Sequence, residues 1–205
     1  MAKDDNKGAA RFLPDRRDLT ELRRAAGGCQ GCELFKKATQ TVFGAGPAGA
    51  RFMLVGEQPG DQEDRRGAPF VGPAGRVLDR GLEEAGIERE EVYLTNAVKH
   101  FSFTLKGKRR IHQKPTAAEI DACRPWLEAE LAVVHPQVVV VLGATAARSL
   151  LGTEFRLTRQ RGEPIPLGEA LAIATIHPSA VLRAPDRDEA YAGFLADLKA
   201  AADTA

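Results

Sequence analysis

The chain has 205 residues, a formal net charge of +1, 43% hydrophobic and 28% charged residues, and is long enough for one domain whose core needs no disulfide staples. The near-zero charge excludes a global basic field, so any contact with nucleic acid has to come from a local patch. No apolar run approaches the roughly twenty residues of a spanning helix, and Met1 to Lys7 lack the apolar segment of a secretory signal.

Residues 1–16 are rich in charge and small residues and read as a flexible leader, with a single domain over 17–205. Asp18 is placed to cap a first helix that runs to Ala26, where Gly27-Gly28 stops it. From there strand and helix signals alternate: strand 51–55, helix 74–86, strand 92–97, helix 116–134, strand 137–142, helix 144–151, strand 171–176 and helix 187–202. Val138 to Leu142 are continuously apolar, as in a strand covered on both faces. The alternation predicts βαβ units and a three-layer αβα fold around a four-stranded, mainly parallel central sheet.

The first, second and fourth strands each run into a polar cluster: Gly56–Asp64, Asn96–His100 and His177–Ser179. Ligands of open α/β sheets bind at the carboxyl ends of the strands, so the three clusters predict one site on one edge. The first cluster, GEQPGDQED, continues into PFVGPAG at 69–75. Gly56 and Gly60 admit close approach of backbone N–H groups to a ligand. Four acidic groups and Phe70 within fifteen residues exceed what a plain βα loop needs.

Three cysteines, an odd number, argue against a disulfide framework and for a reducing cytoplasmic setting. Cys29-Gln30-Gly31-Cys32 is a CxxC that follows a helix, unlike the thioredoxin arrangement, and Cys123 lies inside the helix from Thr116. The three residues read as metal ligands, a redox pair with a spare thiol, or buried thiols. His100, His112, His135 and His177 are the candidates for a fourth ligand.

Five ordered motifs, GEQPGDQED, PFVGPAGRVLD, YLTNAVKH, ACRPWL and IHPSAVLR, resemble those of the iron–sulfur uracil-DNA glycosylases over about residues 27–200. The resemblance implies a [4Fe–4S] cluster on Cys29, Cys32, Cys123 and, where the family carries cysteine, His100. Histidine is a known iron ligand in Rieske centres, and a Cys₃His zinc site is the competing assignment. It further implies that Phe70 stacks on an extruded uracil, that Asn96 reads its O4 and N3–H, and that amides around Gln58 and Gly60 hold its carbonyls. His177 would stabilise the departing uracil anion. Glu57, ahead of Asp61, would stabilise the sugar cation or aim a water at it. Glu63 and Asp64 read as surface or salt-bridging groups.

Leu105 to Pro115, LKGKRRIHQKP, carries five basic residues and no acid. Lys106, Lys108, Arg109, Arg110 and Lys114 are therefore candidate phosphate contacts. GEQPG together with KRRIH resembles the X-type branch of the family, in which the loop histidine, here His112, bonds to the sugar C1′ after uracil leaves. Two alternatives stand beside this reading: a turning-over glycosylase with a Glu57- or Asp61-activated water, and a non-catalytic metal-bearing nucleic-acid binding module. The expected partner is uracil-containing DNA, with single strands preferred because extrusion costs less there. The protein is expected to act as a monomer, away from membranes.

Overall fold

A computed structural model describes residues 8–205. Among them lie seven strands and eight α-helices. In chain order these are α1 (Leu19–Ala26), β1 (Phe52–Gly56), α2 (Asp61–Arg66), α3 (Pro73–Ala85), β2 (Val92–Asn96), β3 (Phe103–Lys106), β4 (Arg109–His112), α4 (Ala117–Val134), β5 (Val138–Leu142), α5 (Ala144–Leu151), α6 (Leu157–Gln160), β6 (Pro164–Leu167), β7 (Ala170–Thr175), α7 (Pro178–Arg183) and α8 (Arg187–Thr204).

The sheet runs β2-β1-β5-β7-β6, with the first four strands parallel. β1, β2 and β5 are buried at every position, which is why they read as unbroken apolar runs rather than alternating ones. Alternate residues feed two cores. Phe52, Leu54, Leu94, Val140 and Ile173 pack with Leu78, Leu82, Phe194 and Leu198 of α3 and α8. Met53, Val55, Tyr93, Val139 and Ala172 pack on the other face with Leu127 of α4 and Ala146 of α5. The αβα layering is as expected.

The sheet has five strands, not four. β6 pairs antiparallel with β7 at the edge, with Ile165 opposite Ala172. Its sequence is Pro-Ile-Pro-Leu, and two prolines without N–H donors mask a strand that only an edge can accommodate. A second, separate sheet is the β3–β4 hairpin, with Phe103 opposite His112 and Lys106 opposite Arg109. Its two-residue turn opens on Gly107 at φ +60°, a conformation glycine adopts without strain.

Of the leader expected over 1–16, residues 1–7 lie outside the described residues. Gly8–Phe12 form a 3-10 turn seated on α4, with Ala9 buried. The small residues that suggested flexibility are those that let the backbone lie against Ala122. Among the described residues no helix is long and apolar enough to cross a membrane.

Candidate active site

The carboxyl ends of β1, β2, β5 and β7 open into one cleft of about 880 Å³. Glu57, Gln58, Gly60, Asp61, Phe70, Asn96, His112, Lys114 and His177 all line it, so the three polar clusters do converge. The third strand contributes as well: Gly143, Ala144 and Thr145 line the same wall. Thr145 was not singled out from the sequence. Its position, at the start of a helix directly after a parallel strand, is the signal that could have found it.

Asn96 ends β2 with its side chain almost fully buried, and its amide has no hydrogen-bond partner among the described residues. Its polar atoms are not sealed off: they open onto the cleft that Asn96 lines, where a ligand can reach them. It lies tight against Gly56, where a Cβ would come within 2.3 Å of Asn96 Oδ1 and 2.8 Å of Phe70 Cζ. Phe70 adopts φ +55°, a left-handed conformation that costs a non-glycine residue strain and that clusters at functional sites. Its ring stands 6.1 Å from that of His177, the two planes 24° apart.

His177 caps α7: Nδ1 accepts the Ser179 N–H at 3.1 Å and lies 2.8 Å from Ser179 Oγ. Burial first, then the neighbouring Arg183 and His112, push its pKa down to about 4. The ring is therefore neutral near pH 7, and with Nδ1 accepting, its proton sits on Nε2 as a donor.

Glu57 accepts a short hydrogen bond from Thr145 Oγ1 on one oxygen, and its other oxygen lies 3.4 Å from His112 Nε2. The side chain of His112 is 50% exposed at the cleft mouth. Gln58 is buried and clamped: Oε1 accepts from Ser102 N–H at 2.9 Å, while Nε2 faces Ser102 O at 3.2 Å, Gln113 O at 2.9 Å and His112 Nε2 at 2.8 Å. Its side chain thus ties the β1 loop to both ends of the hairpin rather than facing the cleft as a reader. The Gly60 N–H, expected to face a ligand, donates instead to Glu63 Oε2 at 3.1 Å. The other Glu63 oxygen takes the Gly72 N–H at 2.8 Å. Glu63 is therefore a staple between the two glycine-rich segments, not a surface group.

Arg110 corrects a further expectation. Its guanidinium, 12% exposed, pairs with Asp61 and with fully buried Asp64 at 2.6 Å, and lies over the Phe101 and Phe103 rings at 5.5 and 5.1 Å. It latches the hairpin to α2, and its charge is engaged by two carboxylates. Asp61 is engaged accordingly: partial burial works to raise its pKa, but Arg65 and Arg110 outweigh this and hold the carboxyl below its ordinary value. Lys106, Lys108, Arg109 and Lys114 are exposed around the hairpin.

Beneath the site lies a network with no local sequence signal. Lys99 and Glu130, both fully buried, form an ion pair. Glu130 also accepts from Tyr93 OH at 3.0 Å, Gly44 N–H at 3.1 Å and Thr95 Oγ1. Lys99 Nζ donates to Asn96 O at 2.7 Å, fixing the backbone under the unpartnered amide.

Cys29, Cys32 and Cys123 share one apolar lobe with Leu22, Phe43 and Trp126. Their sulfurs already receive N–H donors: Trp126 Nε1 to Cys29 at 3.2 Å and Lys99 N to Cys123 at 3.3 Å. His100, the next residue after Lys99, is buried and holds Thr41 Oγ1 at 2.9 Å through Nε2. Among the described residues no three His, Cys, Asp or Glu side chains converge to hold a single metal ion. The donor chemistry, three thiols gathered in an apolar lobe with N–H groups aimed at sulfur, suits an iron–sulfur cluster, whose ligands stand farther apart.

Fold and cleft together define an α/β protein with an open cleft at the carboxyl edge of a mainly parallel sheet. The chain belongs to the uracil DNA glycosylase superfamily, whose family model matches residues 43–199. It is 41% identical over 157 residues to the Type-4 uracil-DNA glycosylase of Thermotoga maritima, covering 76% of this chain and 78% of that one. Identity to the Type-4 uracil-DNA glycosylase of Archaeoglobus fulgidus is 35% over 181 residues, covering 84% of this chain and 87% of that one. That of Sulfurisphaera tokodaii is 33% identical over 177 residues, covering 82% and 77%.

Proposed function

We propose that this chain is a uracil-DNA glycosylase that extrudes uracil from DNA, cleaves its N-glycosidic bond and then bonds to the abasic sugar through His112. The observation that carries the first part is the pairing of an unpartnered Asn96 amide with a neutral His177 Nε2–H across one cleft. A uracil edge offers complementary groups to both, and Phe70 supplies a face for the ring. As the bond from N1 to C1′ breaks, its electron pair goes to uracil, and His177 donates to the oxygen on which that charge collects. The sugar is left as an oxocarbenium ion, and Glu57, oriented by Thr145, stabilises it.

The covalent step is supported by the clamp on His112. Its Nε2 lies 2.8 Å from Gln58 Nε2 and 3.4 Å from Glu57 Oε1 at the cleft mouth. The single Nε2 lone pair is held by the Gln58 N–H at rest, and the ring would turn from that contact to reach the cation at C1′. A bond from Nε2 to C1′ leaves the positive charge on the imidazole ring, which can shed the Nδ1 proton to solvent. The exposed Lys106, Lys108, Arg109 and Lys114 would hold DNA phosphates. Cys29, Cys32, His100 and Cys123 would hold a [4Fe–4S] cluster, which would cross-link α4 to the segment leading into the hairpin. The protein is read as a cytoplasmic monomer that prefers single strands.

The test is a denaturing gel of the protein with a uracil-containing single-stranded oligonucleotide. A heat- and SDS-resistant band, absent with thymine DNA and absent for His112→Ala while that variant still releases uracil, is the expected result. Alkali-labile cleavage without a shifted band would make this a turning-over glycosylase. Absence of both signals would sink the activity itself.

A further inference from the structure

Asp197 is a buried carboxylate that lines no part of the cleft. It stands on α8 beside Phe194 and Leu198 of the apolar core, and it faces Thr175, the fully buried last residue of β7. The Thr175 hydroxyl donates to Asp197 Oδ2, a direction set by the carboxylate, which only accepts. Arg161 Nε donates to the same oxygen at 2.8 Å, and its Nη2 lies 2.7 Å away without aligning to donate. Gly162 lets the turn before β6 come this close. It adopts φ +75°, and a Cβ there would lie 2.7 Å from Asp197 Oδ1. Its N–H donates to Ala174 O at 2.9 Å.

From Thr175 the structure leads into the cleft along two paths. The Thr175 carbonyl accepts the Gly143 N–H at 2.8 Å, and Gly143 precedes α5, where Thr145 holds Glu57. Two residues beyond Thr175 stands His177, seated so closely that a Cβ on Gly143 would lie 3.1 Å from its own Cβ. The end of β7 therefore sets where the imidazole sits. Ile173, on the same face of β7, packs into the apolar core, and a valine at 175 would match the shape of threonine there. What the hydroxyl adds is a defined position, since a satisfied buried polar network admits one arrangement where apolar packing admits several.

We propose that Asp197, acting through the Thr175 hydroxyl, is a positioning residue that fixes the end of β7 and so the distance at which His177 Nε2–H meets the departing uracil. This inference rests on the glycosylase reading and extends it to a carboxylate outside the cleft. A donor displaced by about an ångström loses on the order of 100-fold in rate. The loss falls hardest on a base that needs the donor most. Fluorine at C5 withdraws electrons and stabilises the departing anion unaided, so 5-fluorouracil depends less on His177 than uracil does.

The experiment is single-turnover release of uracil and of 5-fluorouracil from otherwise identical single-stranded oligonucleotides, for the unaltered protein, Thr175→Val and Thr175→Ser. Thr175→Val, which keeps the Arg161–Asp197 pair, should slow uracil release on the order of 10- to 100-fold and 5-fluorouracil release by about threefold or less. Thr175→Ser restores the donor and should stay within about threefold of the unaltered rate on both bases. Urea denaturation verifies that each variant is folded; if Thr175→Val is not, Thr175→Ala is read by the same comparison. Equal slowing on both bases, an unchanged uracil rate without the hydroxyl, or a Ser variant as slow as the Val variant would each overturn the positioning role. Release of neither base by the unaltered protein would sink the glycosylase reading, and this inference with it.

Discussion

Gln58 and His112 meet nitrogen to nitrogen, with 2.8 Å between their Nε2 atoms. Which end of the amide is nitrogen is fixed independently by Ser102, whose N–H donates to Oε1 at 2.9 Å while its carbonyl faces Nε2 at 3.2 Å. An amide turned round would set like poles against each other at both contacts. His112 Nε2 is therefore the acceptor, and the Gln58 contact keeps that nitrogen unprotonated and fixes the resting position of the ring beside Glu57.

Removing this clamp should separate the two proposed steps. Gln58→Ala leaves Glu57, Asn96 and His177 in place, so uracil release should persist. Adduct formation should slow on the order of 100-fold, the usual loss when a reacting group is misplaced by about an ångström. Parallel aliquots analysed for shifted band and for alkali-labile sites measure both rates. Equal slowing of the two would assign Gln58 to the first step.

His177 sets the acid side of the pH profile. Its folded pKa, pushed to about 4 by burial, Arg183 and His112, lies below the ordinary value of 6.5. As pH falls, the unfolded chain takes up this proton first. The group's stabilising contribution is thus complete above pH 6.5, declines as pH drops toward about 4 and is constant below. The neutral donor persists over the same range, so uracil release should show no inflection from His177 at 6.5, only an acid limb near 4. A single-turnover pH–rate profile checks this, and a limb at 6.5 that disappears in His177→Asn would count against it.

The parallel strands were legible because burial on both faces writes unbroken apolar runs, as in Val138–Leu142. That Glu57, Asn96 and His177 line the cleft was legible because they follow such runs at the carboxyl edge, and Phe70 because of the PFVG segment that holds it. β6 was hidden by Pro164 and Pro166, and the hairpin by strands exposed along most of their length. The carboxylate pairing of Arg110 was not legible, because composition does not distinguish a free arginine from one bound to buried carboxylates. Its partners, Asp61 and Asp64, lie 49 and 46 residues away. The Lys99–Glu130 pair, 31 residues apart, has the same character: long-range polar pairing leaves no periodicity to read.

Arg110 and Arg109 should behave as opposites despite their adjacency. Arg110→Ala strands the buried Asp64 charge, a change that typically costs about 3–5 kcal/mol. Urea denaturation should report that loss. Arg109→Ala should leave stability within about 0.5 kcal/mol. On single-stranded DNA it should reduce the slope of log K against log salt by about 0.7, one phosphate contact. A salt slope unchanged in Arg109→Ala would remove it from the phosphate set.

The Lys99–Glu130 pair offers the last test, because its structural and positioning roles can be separated. Glu130→Gln leaves a buried ammonium without its counter-charge and should destabilise the fold by about 3–5 kcal/mol. Replacing both partners, Lys99→Met with Glu130→Gln, removes the stranded charge while an amide oxygen still accepts from Tyr93, Gly44 and Thr95, and should recover most of that loss. The double variant still lacks the Lys99 Nζ donor to Asn96 O, a contact of 2.7 Å in the intact protein. If that contact only stabilises the fold, the double variant should release uracil at the normal rate. If it positions the Asn96 amide, as the geometry favours, release should remain slowed by roughly 10-fold or more after stability is restored. Urea titration and single-turnover release on the same preparations distinguish the two outcomes.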